Sequence, residues 1–383
     1  MATFLIASIL FGLVFLASLI SIRFGLAAAI IEITFGVLAG NFLGVPTHVS
    51  WIAFLASFGG MYLTFQAGTE VDTRLFKKHW LESALIGGMS FLVPFIGEFL
   101  LAYYGFHWSF GASKIAALAL STTSLAVVYA VVVETGLSQT RYGKRLMAAT
   151  FVEDASTAIF LTLLFLSFNW YTLFFGIASV IALFAFPKIV PLIVSRYGNK
   201  VVEPEIKFIF LTIFILLWLG NAGNNQPGLP IFFLGLLLSN FLLRNPEIRK
   251  KLRTIAFAMV TPFFFFQGGL NVNLKDVWAG IGILAIFVAV KLVTKFVGVW
   301  PFAAKYHEKN AMFTTLLMST GLTFGTISSL YGLQHHIITT GQFSILITGV
   351  IISAVLPTII ALKGFPPQSE TMKDLITAEG EEG

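Results

Sequence analysis

Two adjacent acids, Glu153 and Asp154, stand in an otherwise apolar stretch of the chain, and so do two lysines one helical turn apart, Lys291 and Lys295. An ionisable group deep in hydrocarbon costs about 3 kcal/mol or more, so such residues are informative where surface charges are not. On a helix, neighbouring side chains point about 100° apart, which means that Glu153 and Asp154 serve two directions. One carboxylate can face a cation site while the other faces a counter-charge, and Lys291 and Lys295 are the deep cations on offer. A plain buried ion pair would use one acid and one lysine and leave the second acid unexplained. Thr150 adds a hydroxyl one turn before the pair. Carboxylate, hydroxyl and unwound backbone carbonyl oxygens together suit a hard monovalent cation. A carboxylate that holds either a proton or a metal cation, never both at once, is the physical basis of cation/proton exchange. Of the other deep acids, Glu32 reads as a hydrogen-bonding partner in a packing seam. Glu98 and Lys188 lie close enough to the ends of their spans to snorkel or cap.

The elements that must position these groups are membrane helices. The chain has 383 residues, 57% of them hydrophobic and 11% charged, with 41 Phe and no Cys, and a mean hydropathy of +0.88. A soluble domain of this size has no room for so large an apolar core with so little polar shell, so the reading is an all-α polytopic membrane protein. The absence of Cys removes disulfides, thiolate metal sites and thiol nucleophiles. Spans of roughly 20 apolar residues cross about 30 Å of hydrocarbon. Thirteen are expected, at 2–22, 25–44, 50–69, 80–104, 112–136, 141–168, 169–196, 204–222, 227–243, 254–270, 276–304, 308–333 and 338–363. With odd-numbered loops and the C-terminus on one side, that side receives 19 of the 24 Lys and Arg residues. The positive-inside rule then puts the N-terminus outside and the C-terminus in the cytoplasm of a cell (inner) membrane. The net charge of +6 is therefore spent on topology and calls for no nucleic acid. Segment 2–22 has no basic leader or cleavage site and reads as a retained helix. The polar tail, 364–383, reads as disordered.

Thirteen spans divide into six, a linker and six, the arithmetic of two inverted repeats. The fifth and twelfth, in corresponding positions, both carry polar and Gly interruptions, Ser121-Thr122-Thr123-Ser124 and Ser319-Thr320-Gly321 through Gly325-Thr326. Paired broken helices are a sequence pointer to a transport site. At this point the sequence resembles the cation:proton antiporter superfamily, in its bacterial and archaeal sodium(potassium)/proton antiporter branch with thirteen helices. Phe65-Gln66-Ala67-Gly68-Thr69-Glu70-Val71-Asp72 looks like the family's motif closing the third span, and Phe151-Val152-Glu153-Asp154 like its double-acid motif. Thr123-Ser124 falls at its broken fifth helix. Pro262 to Gly269 and Lys295-Phe296-Val297-Gly298 are similar to two further segments, the second carrying the lysine that pairs with a motif acid.

The resemblance implies crossed broken helices, a homodimer and elevator-type alternating access. It implies a dimerisation domain at 1–72 and 204–270, a core ion-transport domain at 80–168 and 276–363, and a linker helix at 169–203. Carried onto this chain, Asp154 binds cation and proton, Glu153 is the partner acid and Lys295 its counter-charge. Thr150, Thr123 and Ser124 neighbour the ion, while Lys291, Glu70, Asp72 and Glu32 stand in a second line. Gly36 and Gly40 on the second span add a small-residue pattern suited to a contact between chains. No cofactor is expected beyond the transported Na+ or K+ and H+, and the partners are those ions, the lipid bilayer and a second copy. Two departures, Glu-Asp at the double acid and Thr320-Gly321-Leu322-Thr323 where many relatives carry Arg and Glu, leave ion choice and stoichiometry open.

Na+/H+ antiport serving pH homeostasis is the leading reading. A K+/H+ antiporter of the same fold and a sodium-coupled solute symporter stand behind it. A membrane enzyme finds no His-Glu-x-x-His, Gly-x-Ser-x-Gly or Walker A motif, and His335-His336 read as a solvated loop. A channel finds no repeated filter-like Gly motif.

Overall fold

The computed structural model of the chain describes residues 2–24, 27–47, 49–70, 79–137, 140–198 and 202–367. Asp72 and most of the tail lie outside them. Among the described residues the chain is helical without strands, and each of the thirteen expected intervals contains helix. Among the described residues, seven helices are long and apolar enough to cross a membrane by length and composition.

The contacts divide the chain into two compact units, Met1–Thr73 with Thr157–Leu274, and Arg74–Ser156 with Lys275–Gly383. The division falls inside the helix Arg141–Leu164, and helix 170–197, expected as a linker, belongs to the first unit.

The first unit holds α1 (Ala2–Phe24), α2 (Ala28–Phe42), α3 (Ser50–Thr69), the end of α7 (Arg141–Leu164), α8 (Trp170–Tyr197), α9 (Pro204–Ala222), α10 (Gly228–Arg244), α11 (Pro246–Ile255) and α12 (Thr261–Leu270). Asn169 separates α7 from α8: its side chain accepts from the Thr172 amide at 3.0 Å and caps α8, so two polar atoms suffice to end an apolar run. Backbones approach where side chains vanish. A Cβ on Gly36 would lie 2.9 Å from the Gly269 Cα of α12, and one on Gly40 2.8 Å from the Leu270 carbonyl. These two glycines, read from the sequence as a contact between chains, are used within this one. Gly68 of α3 and Gly235 of α10 make an equivalent crossing, each against the other's helix backbone. Between α11 and α12 the chain makes a π turn, Ala256–Val260. Pro262 follows, and a proline without an N–H shifts the hydrogen-bond register in this way.

The second unit holds α4 (Trp80–Leu100), extended by a π turn at Leu101–Gly105, the two halves α5 (Phe110–Ser121) and α6 (Leu125–Glu134), most of α7, α13 (Leu274–Ala279), α14 (Ile281–Tyr306), the halves α15 (Ala311–Leu317) and α16 (Thr323–Gln334), and α17 (Thr340–Gly364). α4 and α14 run antiparallel along each other: a Cβ on Gly298 would meet the Met89 carbonyl, and one on Gly97 the Thr294 side chain. Both expected interruptions are real breaks. Thr122 is extended (φ −73°, ψ 150°) between α5 and α6, and Leu322 is non-helical between α15 and α16. Ser121 to Ser124, Ser319 and Thr320 are all fully buried, as irregular backbone at membrane depth must be.

Candidate functional site

Breaking a helix frees backbone groups, and the second unit gathers its charges around them. Thr123, in the break between α5 and α6, has its hydroxyl 2.6 Å from Glu153 Oε2 and 2.5 Å from the Met318 carbonyl, with one proton to give. Lys295 of α14 donates to Glu153 Oε1 at 2.5 Å, to Ser90 Oγ of α4 at 3.0 Å and to Thr123 Oγ1 at 3.1 Å. Three donors meet three acceptors. Lys295 and Glu153 are both 0% exposed, and a buried pair persists only with its remaining hydrogen bonds satisfied in this way.

Asp154, the next residue, is different. It is 1% exposed, and its Oδ1 is buried without a hydrogen bond. The charge count explains what such a group can do. Glu153 and Lys295 form a pair, Asp154 adds one negative charge, and in a low-dielectric setting such a charge can be balanced by one monovalent cation or one proton.

Helix ends shape the surrounding field. Ser124 Oγ lies 3.4 Å from Thr323 Oγ1, which brings together the N-terminal ends of α6 and α16, and Ser124 also accepts from the Val127 amide. Those ends carry partial positive charge and favour the nearby carboxylates. At the opposite polarity, the C-terminal end of α5, the Thr122 carbonyl accepts from Lys291 at 3.3 Å, and Lys291 also donates to Ser353 Oγ at 2.9 Å.

The structure therefore brings together Glu153, Lys295 and Thr123, with Asp154 beside them in sequence and Ser124 in the same break. Thr150 bonds to the Leu146 carbonyl of its own helix and reaches Met318 Sδ at 3.4 Å. Lys291 serves a helix end and is not bonded to either acid. Glu70 is tied elsewhere, to Arg249 at 2.7 Å and Arg253 at 3.7 Å in the first unit. Glu32 is buried on α2, also in the first unit. Lys188 is exposed, as snorkelling requires. Glu98, read from sequence as snorkelling or capping, is 0% exposed with neither carboxylate oxygen hydrogen-bonded. Sequence reasoning missed Ser90, Ser353 and the Met318 carbonyl, because neither a serine nor a main-chain carbonyl in an apolar helix carries a signal of its partner.

A second network closes one end of the same unit. Glu82 of α4 accepts from Arg145 Nε at 2.7 and 2.8 Å through its two oxygens. His307, which ends α14, pairs its Nε2 with Glu82 Oε1 at 2.7 Å and its Nδ1 with Thr314 Oγ1 at 3.0 Å, and Tyr142 meets Thr314 at 2.9 Å. A neutral imidazole with its proton on Nε2 satisfies every partner. Burial holds His307 below the usual histidine range, against the pull of Glu82.

Residues 8–362 match the family described as "Sodium/hydrogen exchanger, transmembrane". The chain belongs to the sodium/hydrogen exchanger family. Among its relatives, the Na(+)/H(+) antiporter of Enterococcus hirae is 24% identical over 370 residues, 90% of this chain and 93% of that one. The Na(+)/H(+)-K(+) antiporter GerN of Bacillus cereus is 22% identical over 379 residues, 94% and 95% of the two chains. The fold is that of the sodium proton antiporter MjNhaP1 from Methanocaldococcus jannaschii, with a TM-score of 0.69 at 16% identity over 95% of this chain and 99% of that one. This member of the exchanger family is a multi-pass membrane protein, and its relatives are transporters rather than enzymes.

Proposed function

We propose that the chain is a secondary active monovalent cation/proton antiporter in which sodium and a proton compete for Asp154. One observation carries the reading: of two adjacent buried acids, Glu153 is saturated by Lys295 and Thr123, while Asp154 Oδ1 has no hydrogen-bond partner. The first acid fixes the site and the second exchanges its counter-ion. Thr150, Thr123 and Ser124 supply neighbouring oxygens, and Lys295 is the counter-charge.

The second unit is the core ion-transport domain on this reading, presenting Asp154 to either side by elevator-type movement. The first unit is the dimerisation domain of a homodimer. Thirteen crossings in two inverted repeats are supported by the two broken helices and by the paired glycine crossings, α2 with α12 and α3 with α10, which exchange places under such a repeat. The Lys and Arg distribution supports an outside N-terminus and a cytoplasmic C-terminus in the cell membrane. Potassium as the exchanged ion has one specific support, the name of the Bacillus cereus relative.

The test is a proteoliposome assay with an internal pH-sensitive dye, adding sodium, potassium or lithium in turn. At least one of sodium and potassium should move protons in the parent, and neither should in Asp154→Asn. Silence with both ions in the parent, or near-normal exchange in the variant, contradicts the reading.

A further inference from the structure

Among the described residues of the second unit, the exchange reading leaves one fully buried acid without work. Glu98, near the end of α4, is 0% exposed and neither of its carboxylate oxygens has a hydrogen-bond partner. A charged carboxylate in that condition is far more expensive than a protonated one. Gly97, the residue before it, packs against Val290 and Thr294 of α14, and Lys291, next to Val290, is the cation whose charge acts on Glu98.

The hydrogen bonds of Lys291 match this. Its Nζ has two acceptors, the Thr122 carbonyl and Ser353 Oγ. Ser353 gives its own proton to the Val350 carbonyl at 2.9 Å, so its oxygen is free to accept from the lysine. A neutral amine has two N–H groups and is satisfied by these two acceptors. The third N–H of an ammonium needs a further negative partner; of the two carboxylates whose charge reaches Lys291, Glu153 is already held by Lys295, which leaves Glu98. Gly321 keeps this arrangement possible, because a Cβ there would collide with Lys291 Nζ.

The other titratable groups on the elements packed along α4 are engaged or turned away. On α14, Lys295 is held by Glu153, Ser90 and Thr123. On α5, Lys114 lies over the Phe110 ring at 5.2 Å. On the adjoining π turn, Tyr103 and Tyr104 are exposed. On α7, Arg145 is bonded to Glu82 and Glu153 to Lys295.

We propose that Glu98 is a second proton-binding carboxyl of this unit, distinct from Asp154, protonated when Lys291 is a neutral amine and ionised when Lys291 is an ammonium. As pH rises the O–H bond of the Glu98 acid breaks and its proton leaves to solvent, an ionisation that an ammonium at Lys291 favours and a neutral amine there does not. The site lies beyond Lys295 along α4 and α14, on the side away from Glu82 and His307. The unit thus carries three acid–base clusters in sequence along the two helices. Its use in transport rests on the exchange reading; its existence does not.

The experiment is infrared difference spectroscopy between acid and alkaline pH on the full chain in lipid nanodiscs, reading the carbonyl stretch of protonated carboxyls. A component of that band should be lost in Glu98→Gln and kept in Asp154→Asn. In Lys291→Met the Glu98 component should persist to a pH about one unit higher, since the cation that favours ionisation is gone. This second variant keeps the acid and serves equally if Glu98→Gln does not fold. A Glu98→Gln spectrum superimposable on the parent's, or a component unmoved by Lys291→Met, overturns the proposal. Sodium added at constant pH bleaches only the Asp154 component; its failure to do so contradicts the exchange reading and leaves Glu98 to be judged by its own band.

Discussion

Of the acid–base clusters along α4 and α14 in the second unit, two are built to different standards. At Glu153 and Lys295 both partners are 0% exposed and every lysine donor has an acceptor. At Glu82 the carboxylate is 7% exposed but its main partner Arg145 is 26% exposed, and His307 shares the acid. The first cluster stands beside an acid with an unpartnered oxygen; the second has none. The difference teaches where function sits. On the proposed exchange reading, a closed network that holds all its own charges is structural, and one that leaves a neighbouring charge uncompensated has room for a transported ion.

The largest expected effect lies at the inner cluster. Lys295→Ala or Glu153→Ala leaves a charge uncompensated in low dielectric, with a loss of about 3–5 kcal/mol each. The double change should recover part of it, giving a coupling of about 1 kcal/mol or more in a double-mutant cycle read by unfolding in mixed micelles. Lys291→Ala should be additive with Glu153→Ala. Additivity at Lys295 would erase the contrast between the clusters.

The cluster of Glu82, Arg145 and His307 should respond less and should depend on pH. Glu82→Gln removes a two-oxygen contact to a partly exposed Arg, about 1–2 kcal/mol after allowing for solvent. His307 has a depressed folded value, so the folded state binds fewer protons than the unfolded one around the usual value. Its contribution is full above about 6.5 and declines as pH falls from there towards the folded value. Thermal stability measured from pH 8 to pH 5 should therefore drop more steeply in the parent than in His307→Gln. Parallel curves would mean that the imidazole does not report on this cluster.

The smallest effect sharpens the scale. In the first unit Lys251 and Glu203 pair at 2.7 Å but are 34% and 27% exposed. Lys251→Ala should change stability by about 1 kcal/mol or less, and less still at high salt.

The inner cluster was the more legible from sequence. Glu153, Asp154 and Lys295 stood out because ionisable residues are rare at that depth, and the Thr123 break because hydroxyl runs interrupt apolar spans rarely. The other cluster carries no such signal, since Glu82, Arg145 and His307 lie at span ends where charges are ordinary. Glu98 was misjudged for a related reason. Hydropathy locates a residue along a span but does not say whether its side chain turns to the lipid interface or into the unit. Gly36 and Gly40 show the same limit: small residues announce a close approach, and only the fold says that the approaching backbone is that of Gly269 and Leu270 in the same chain.

The central claim is that cation and proton share Asp154. Isothermal titration of sodium, or of potassium if that is the ion transported, into the purified protein at a series of pH values tests it most directly. The apparent affinity should weaken as pH falls, by up to about tenfold per pH unit once the proton dominates, and Asp154→Asn should show no binding. An affinity independent of pH, or binding retained by Asp154→Asn, would contradict the account.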